Sequence, residues 1–215
     1  MPAGTYTAEL SIAGSEIAPV NKTITVSKIP TKITASAVTA VYNNNKYLVI
    51  KLVDEKGKAL NGVKVKVTLA AAKTYTTDKN GQIKIDVGKL VPKTYSAKIS
   101  FAGNDIYLAS STTAKVVVKK ATPKMTVKAK TFKVKVKTKN YAITLKNNLG
   151  KVMKKTKVTI TVNKKTFKAT TNSKGVATFK ITNLKKKGKF TAVIKYAGSK
   201  YYNKLSKKVI IIVKK

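Results

Sequence analysis

The chain has 215 residues, 43% hydrophobic and 7% aromatic, with a formal net charge of +39. All 46 basic residues are lysine, and Cys, His, Arg and Trp are absent. That composition excludes disulfides, thiolate nucleophiles and imidazole acid–base or metal chemistry.

The charge is unevenly placed. All seven acids (Glu9, Glu16, Asp54, Glu55, Asp78, Asp86 and Asp105) fall in the first 105 positions. From Ile106 to Lys215 there are 31 lysines and no Asp or Glu, so the net charge divides into +8 and +31. Side-chain calcium and zinc sites and carboxylate catalysis are therefore excluded over that stretch. A Ser–Lys or Thr–Lys pair is the remaining catalytic chemistry. No spacing singles one out, so the chain is expected to be no enzyme and to use no cofactor. Low-GC coding accounts for Lys replacing Arg, but it leaves the missing acids unexplained, because Asp and Glu codons suit such genomes equally well.

In chain order, Met1-Pro2-Ala3-Gly4 lacks the basic and apolar pattern of a secretory leader. Residues 1–28 then read as two strands. Tyr6 to Gly14 matches a later segment, Tyr95 to Gly103, and Thr23 to Lys28 reads as a closing strand. Two strands do not make a stable sandwich. This stretch is expected to be the C-terminal two strands of a preceding repeat, either disordered or paired with another edge. Completion of a rearranged sandwich is the alternative.

Two fuller units follow, 29–120 and 121–215, with a period of roughly 95 residues. Both open on a Pro-containing strand, at Pro30-Thr31-Lys32-Ile33-Thr34 and Pro123-Lys124-Met125-Thr126. Tyr47 and Tyr141 each start a strand that ends in an Asx-x-x-Gly turn, Asp54 to Gly57 and Asn147 to Gly150. A second matched pair of turns follows, Asp78 to Gly81 and Asn172 to Gly175, suited to hairpin loops that need a left-handed residue. Between turns the period is two. Val63, Val65, Val67 and Leu69 alternate with Lys64, Lys66 and Thr68; Val134 and Val136 alternate with Lys133, Lys135 and Lys137; Val158, Ile160 and Val162 alternate with Lys157, Thr159 and Thr161. Each such strand has one buried and one wet face. Short β-branched strands at this spacing indicate all-β architecture, tandem immunoglobulin-like antiparallel β-sandwiches. The linkers Ser27-Lys28-Ile29-Pro30 and Lys119-Lys120-Ala121-Thr122-Pro123 are short and Pro-terminated, which favours a semi-rigid array.

Near the end of each unit, Leu90, Tyr95, Phe101, Ala102-Gly103 and Tyr107 align with Leu184, Phe190, Tyr196, Ala197-Gly198 and Tyr202. This segment resembles the C-terminal signature of bacterial Ig-like domains of the group 3 type, which occur as tandem repeats in surface proteins. The second unit, through Thr131-Phe132-Lys133-Val134-Lys135-Val136 and Gly198-Ser199-Lys200-Tyr201-Tyr202-Asn203-Lys204, resembles the terminal repeats of methanogen adhesin-like proteins. The resemblance implies a non-catalytic adhesin-like stalk or attachment module. It also implies an extracellular, cell-surface or cell-wall location, with signal and anchor expected outside this sequence. The longest aliphatic run, Val209 to Val213, is too short to cross a bilayer. Some surface Ig-like domains carry Lys–Asn cross-links that need a buried acid. The acid-free second unit excludes one, and the first unit leaves it open.

The lysines define the expected interaction surface. The clusters are Lys133, Lys135, Lys137 and Lys139 along one strand face; Lys154, Lys155 and Lys157 after a turn; Lys164, Lys165 and Lys168; and Lys185, Lys186, Lys187 and Lys189 around a loop. Solvation and edge protection account for many of them. They do not account for the imbalance, since mixed signs solubilise as well and a uniformly positive domain repels itself. An anionic cell-wall polymer or partner cell surface is the expected partner, alongside neighbouring repeats of the same chain. A passive spacer and a nucleic-acid-binding module are the alternatives. Against nucleic acid stand the missing Arg and the scarcity of exposed aromatics, for which Tyr201 and Tyr202 are the best candidates.

Overall fold

A computed structural model describes residues 1–215. The chain is all β, with strands numbered β1 to β18, and no helix in it is long and apolar enough to cross a membrane. It divides into two compact units: Met1–Ala40, Asn45–Val87 and Lys93–Val117 form the first; Val41–Asn44, Gly88–Pro92 and Val118–Lys215 form the second.

The two opening strands, β1 (Gly4–Leu10) and β2 (Val20–Val26), pair only with each other. Their register puts Tyr6, Ala8, Leu10, Val20 and Ile24 on one side of the ribbon and Thr5, Thr7, Thr23 and Thr25 on the other. The apolar side has no sheet over it. Leu10 is 67% exposed and Val20 62%.

The remaining strands form two sandwiches of matching order. In the first, a three-stranded sheet runs β3 (Thr31–Ala35), β5 (Tyr47–Asp54), β8 (Gln82–Asp86). It faces a five-stranded sheet in the order β4 (Val38–Val41), β10 (Ser110–Lys119), β9 (Thr94–Phe101), β6 (Lys64–Thr68), β7 (Ala72–Thr76). In the second, the three-stranded sheet is β11 (Lys124–Thr126), β13 (Lys139–Lys146), β16 (Val176–Ile181). Its five-stranded partner is β12 (Lys130–Lys133), β18 (Leu205–Lys214), β17 (Gly188–Tyr196), β14 (Lys157–Val162), β15 (Lys165–Thr170).

Alternation builds both cores. In the second sandwich Tyr141, Ile143, Leu145, Ile160, Phe179 and Ile194 are buried between the sheets. The corresponding layer in the first contains Leu48, Ile50, Leu52, Val65, Ile99 and Val116. Burying such side chains stabilises by about 1.5 to 3 kcal/mol each before conformational entropy is charged against it.

In both sandwiches the chain changes sheet after its first strand, β3 to β4 and β11 to β12. After β11 the chain crosses to the other sheet, where β12 pairs parallel to β18. The expected alternation over 133–139 is corrected there. β12 stops at Lys133, and Val136 N–H donates to Lys133 C=O at 3.2 Å, closing a turn that sends the chain into β13. Those positions are therefore not a strand face.

Candidate polyanion-binding face

The local chemistry that shapes the second unit repeats that of the first with one systematic change. In the first, Asp54 Oδ1 accepts from the N–H groups of Lys56 (3.0 Å) and Lys58 (2.9 Å), and Asp78 Oδ1 from those of Asn80 and Gln82 (both 2.8 Å). In the second, Asn147 Oδ1 accepts from Leu149 (3.0 Å) and Lys151 (2.9 Å), and Asn172 Oδ1 from Lys174 (2.9 Å) and Val176 (3.0 Å). The amide supplies the same acceptor oxygen without the charge. The backbone N–H of Gln82, with that of Asn80, holds the Asp78 carboxyl below its ordinary range despite a partial desolvation penalty. Asn172 has no such proton to lose. The turn is kept while its negative charge is gone.

Glycine closes these turns for a steric reason. Gly175 has φ +72°, and a Cβ there would lie 2.9 Å from both Leu145 O and Val152 Cβ. Gly81 is tighter still, with Leu52 O at 2.5 Å from the would-be Cβ.

The expected lysines fall into two groups. Near one end of the second sandwich, Lys133 closes β12, and Lys135 and Lys137 lie exposed in the turn after it. Lys164 occupies a two-residue hairpin turn with Asn163, both at positive φ (60° and 45°). Asn183 Nδ2 binds Val162 O at 2.9 Å and Asn163 O at 3.0 Å, which ties this turn to the loop leading into Lys185, Lys186 and Lys187. Lys165 opens β15, its Nζ lying 5.7 Å over the Phe167 ring, and Lys189 is the second residue of β17. A groove of about 380 Å³ brings Lys137 and Lys185 together. In the second group, Lys154 and Lys155 are exposed in the loop before β14, and Lys157 and Lys168 are exposed on the outer face of β14 and β15.

Lys139 lines the same groove as Lys137 and Lys185 but, unlike them, is covered. It is 2% exposed, paired opposite Ile181, and its ammonium donates to Val136 O at 2.7 Å. The ladder expected over Lys133, Lys135, Lys137 and Lys139 therefore does not form, because the strand ends after the first member and the last is inside.

The structure adds lysines that cluster reading missed. Thr159 pairs with Lys168 on one side and Lys195 on the other, and Lys195 pairs with Ser206. Side chains directly opposite in a sheet share a face, so Lys195 joins Lys168 on the outer face. A groove of about 650 Å³ is lined there by Lys157, Thr159, Lys195, Lys204 and Ser206. Lys195 stands alone in Thr-Ala-Val-Ile-Lys-Tyr. Only the pairing of β14 with β17 places it in the row with Lys168.

The second unit holds no Asp or Glu to neutralise any of these groups. Some ammonium groups rest over rings instead, such as Lys130 at 5.0 Å from Phe132 and Lys200 at 5.0 Å from Tyr201. The aromatics offer no free stacking platform. Tyr141 is buried, donates to Lys128 O at 2.8 Å, and has its phenol pushed up by burial. Tyr201 and Tyr202, expected to be exposed, are half-buried within the second unit. Tyr42 stacks on Tyr201 with centroids 4.6 Å apart and meets Tyr202 edge-on.

No protein-family model and no curated protein matches the sequence. Among solved structures, the chain is similar to invasin, a bacterial integrin-binding protein, at 16% identity and a TM-score of 0.50, over 86% of this chain and 39% of that one. It thus spans about two fifths of the invasin chain. Titin domains z1z2 in complex with telethonin align at 10% identity and a TM-score of 0.45, over 88% of this chain and 98% of that one. The Yersinia pseudotuberculosis adhesin InvE aligns at 15% identity and 0.38, over 83% and 58%. The likeness to invasin shows the fold: tandem β-sandwiches of the immunoglobulin-like kind.

Proposed function

We propose that the chain is a non-catalytic, extracellular adhesin-like attachment module of the group 3 Ig-like type found in methanogen adhesin-like proteins. Residues 29–120 and 121–215 are consecutive repeats of an array, and residues 1–28 are the closing strands of the repeat before them. The first full repeat acts mainly as a spacer. The second attaches by charge to an anionic cell-wall or cell-surface polymer. The observation that carries this reading is the second unit's complete lack of acid beneath an exposed set of lysines. Asn in place of Asp at two turns supports it, because the turn bonds persist where the charge does not. Lysine is a compact, hydrated point charge, suited to attraction along a polyanion rather than to a shaped single ligand.

The test is co-sedimentation of the full chain with purified cell walls, anionic liposomes and duplex DNA over a salt series. The reading expects wall binding that weakens steadily as salt rises, through screening and counterion release. No binding to walls even at low salt identifies a passive spacer. Preference for DNA over walls identifies a nucleic-acid module.

A further inference from the structure

We infer that the outer face of the second unit's five-stranded sheet is a docking surface for an acidic polysaccharide that carries a carboxylate on every second sugar. The inference rests on the polyanion reading above and deepens it from diffuse attraction to an arranged site. Across the sheet, one row of outward side chains reads Lys168, Thr159, Lys195, Ser206, on β15, β14, β17 and β18 in turn. Ammonium and hydroxyl therefore alternate from strand to strand. Neighbouring strands lie about 4.8 Å apart, so like groups recur every ~10 Å, a span that suits two linked sugars. Two grooves flank this row and share Lys157 and Thr159. The larger, about 650 Å³, adds Lys195, Lys204 and Ser206; the smaller, about 380 Å³, adds Lys168 and Thr170.

Charge complementarity favours that occupant over a polymer charged at every unit. A polymer charged at every sugar, about 5 Å apart, would need an ammonium on every strand of the row, whereas only β15 and β17 carry one. A chain that alternates carboxylate with hydroxylated sugar meets an ammonium and then a hydroxyl in step. The first sandwich contains the corresponding row as Thr74, Lys66, Ser100, Ser111, with a single ammonium, and the groove of about 420 Å³ beside it adds Lys98. The row itself thus carries one charge there and two in the second sandwich.

The experiment uses the full chain and three probes at matched ionic strength: hyaluronate, polygalacturonate and polyphosphate. Two double variants each remove two charges, K168Q/K195Q from the row and K146Q/K180Q from the opposite, three-stranded sheet. T159V keeps the charge and removes one hydroxyl. The expected result is hyaluronate binding weakened roughly tenfold by K168Q/K195Q and less than about threefold by K146Q/K180Q. T159V should also weaken hyaluronate more than it weakens polyphosphate. Equal losses from the two doubles overturn the site while leaving the polyanion reading standing. Tighter binding of polygalacturonate or polyphosphate than of hyaluronate overturns the choice of ligand. Failure of the unmodified chain to bind any of the three removes the polyanion reading itself.

Discussion

At residue scale, the Asx turns show how acid can be removed from a protein without disturbing its fold. Asp78 and Asn172 make the same pair of backbone hydrogen bonds, yet only Asp78 titrates. Its folded-state value is lowered, so its contribution to stability is complete above the ordinary carboxylate value and is lost as pH falls through the lowered one. In thermal melts of the full chain from pH 6 down to 2, D78N is expected to flatten part of the acid-side fall below about pH 4. An unchanged acid limb in D78N would show that the turn carboxylate does not matter. Lys139 makes the opposite point. Its side chain is covered and its ammonium, donating to one carbonyl, is part-buried, where charge is costly. K139M is expected to raise the stability of the second unit by about 1 kcal/mol, measured by denaturant titration, and to weaken polyanion binding less than K168Q/K195Q does. The turns were legible from Asx and Gly spacing alone. The burial of Lys139 was not, because period-two alternation carries no sign that a strand has stopped.

At element scale, the two sandwiches and the opening ribbon differ in what covers them. The inner strands of each sandwich bury one face, whereas β1, β2 and the loop between them leave Leu10, Ile12, Ile17, Val20 and Ile24 in solvent. An isolated two-stranded ribbon is marginal in water. Hydrogen exchange is expected to find the amides of β1 and β2 exchanging far faster than those of β5, β9, β13 and β17, whose strands lie inside sheets. Comparable protection in the ribbon would mean that something covers its apolar side. Within the second core, F179A is expected to cost about 3 to 5 kcal/mol by cavity formation at a fully buried site. The existence of most strands could be read from alternation. The parallel pairing of β12 with β18 could not, since periodicity reports which face is buried but not which neighbour lies alongside.

At the scale of the whole molecule, charge is sorted by unit and again by sheet. In the first sandwich the acids in strands, Asp54 and Asp86, are on the three-stranded sheet, and its five-stranded sheet has none. In the second, neither sheet has any. The asymmetry between halves was plain in the sequence. The gathering of Lys157, Lys168, Lys195 and Lys204 around two adjoining grooves required the order β18-β17-β14-β15, which brings together residues more than a strand apart in the chain.

The central claim is that the second unit binds polyanions because it lacks acid. The most direct measurement compares the full chain with N147D/N172D, which restores two carboxylates at turns that already accommodate them in the first unit. Affinity for a purified anionic wall polymer is followed from low to high salt. The account predicts that log affinity falls linearly with log salt for both chains, with N147D/N172D weaker at low salt and converging on the parent as salt rises. Binding that ignores salt, or a variant as tight as the parent at every salt concentration, would contradict it.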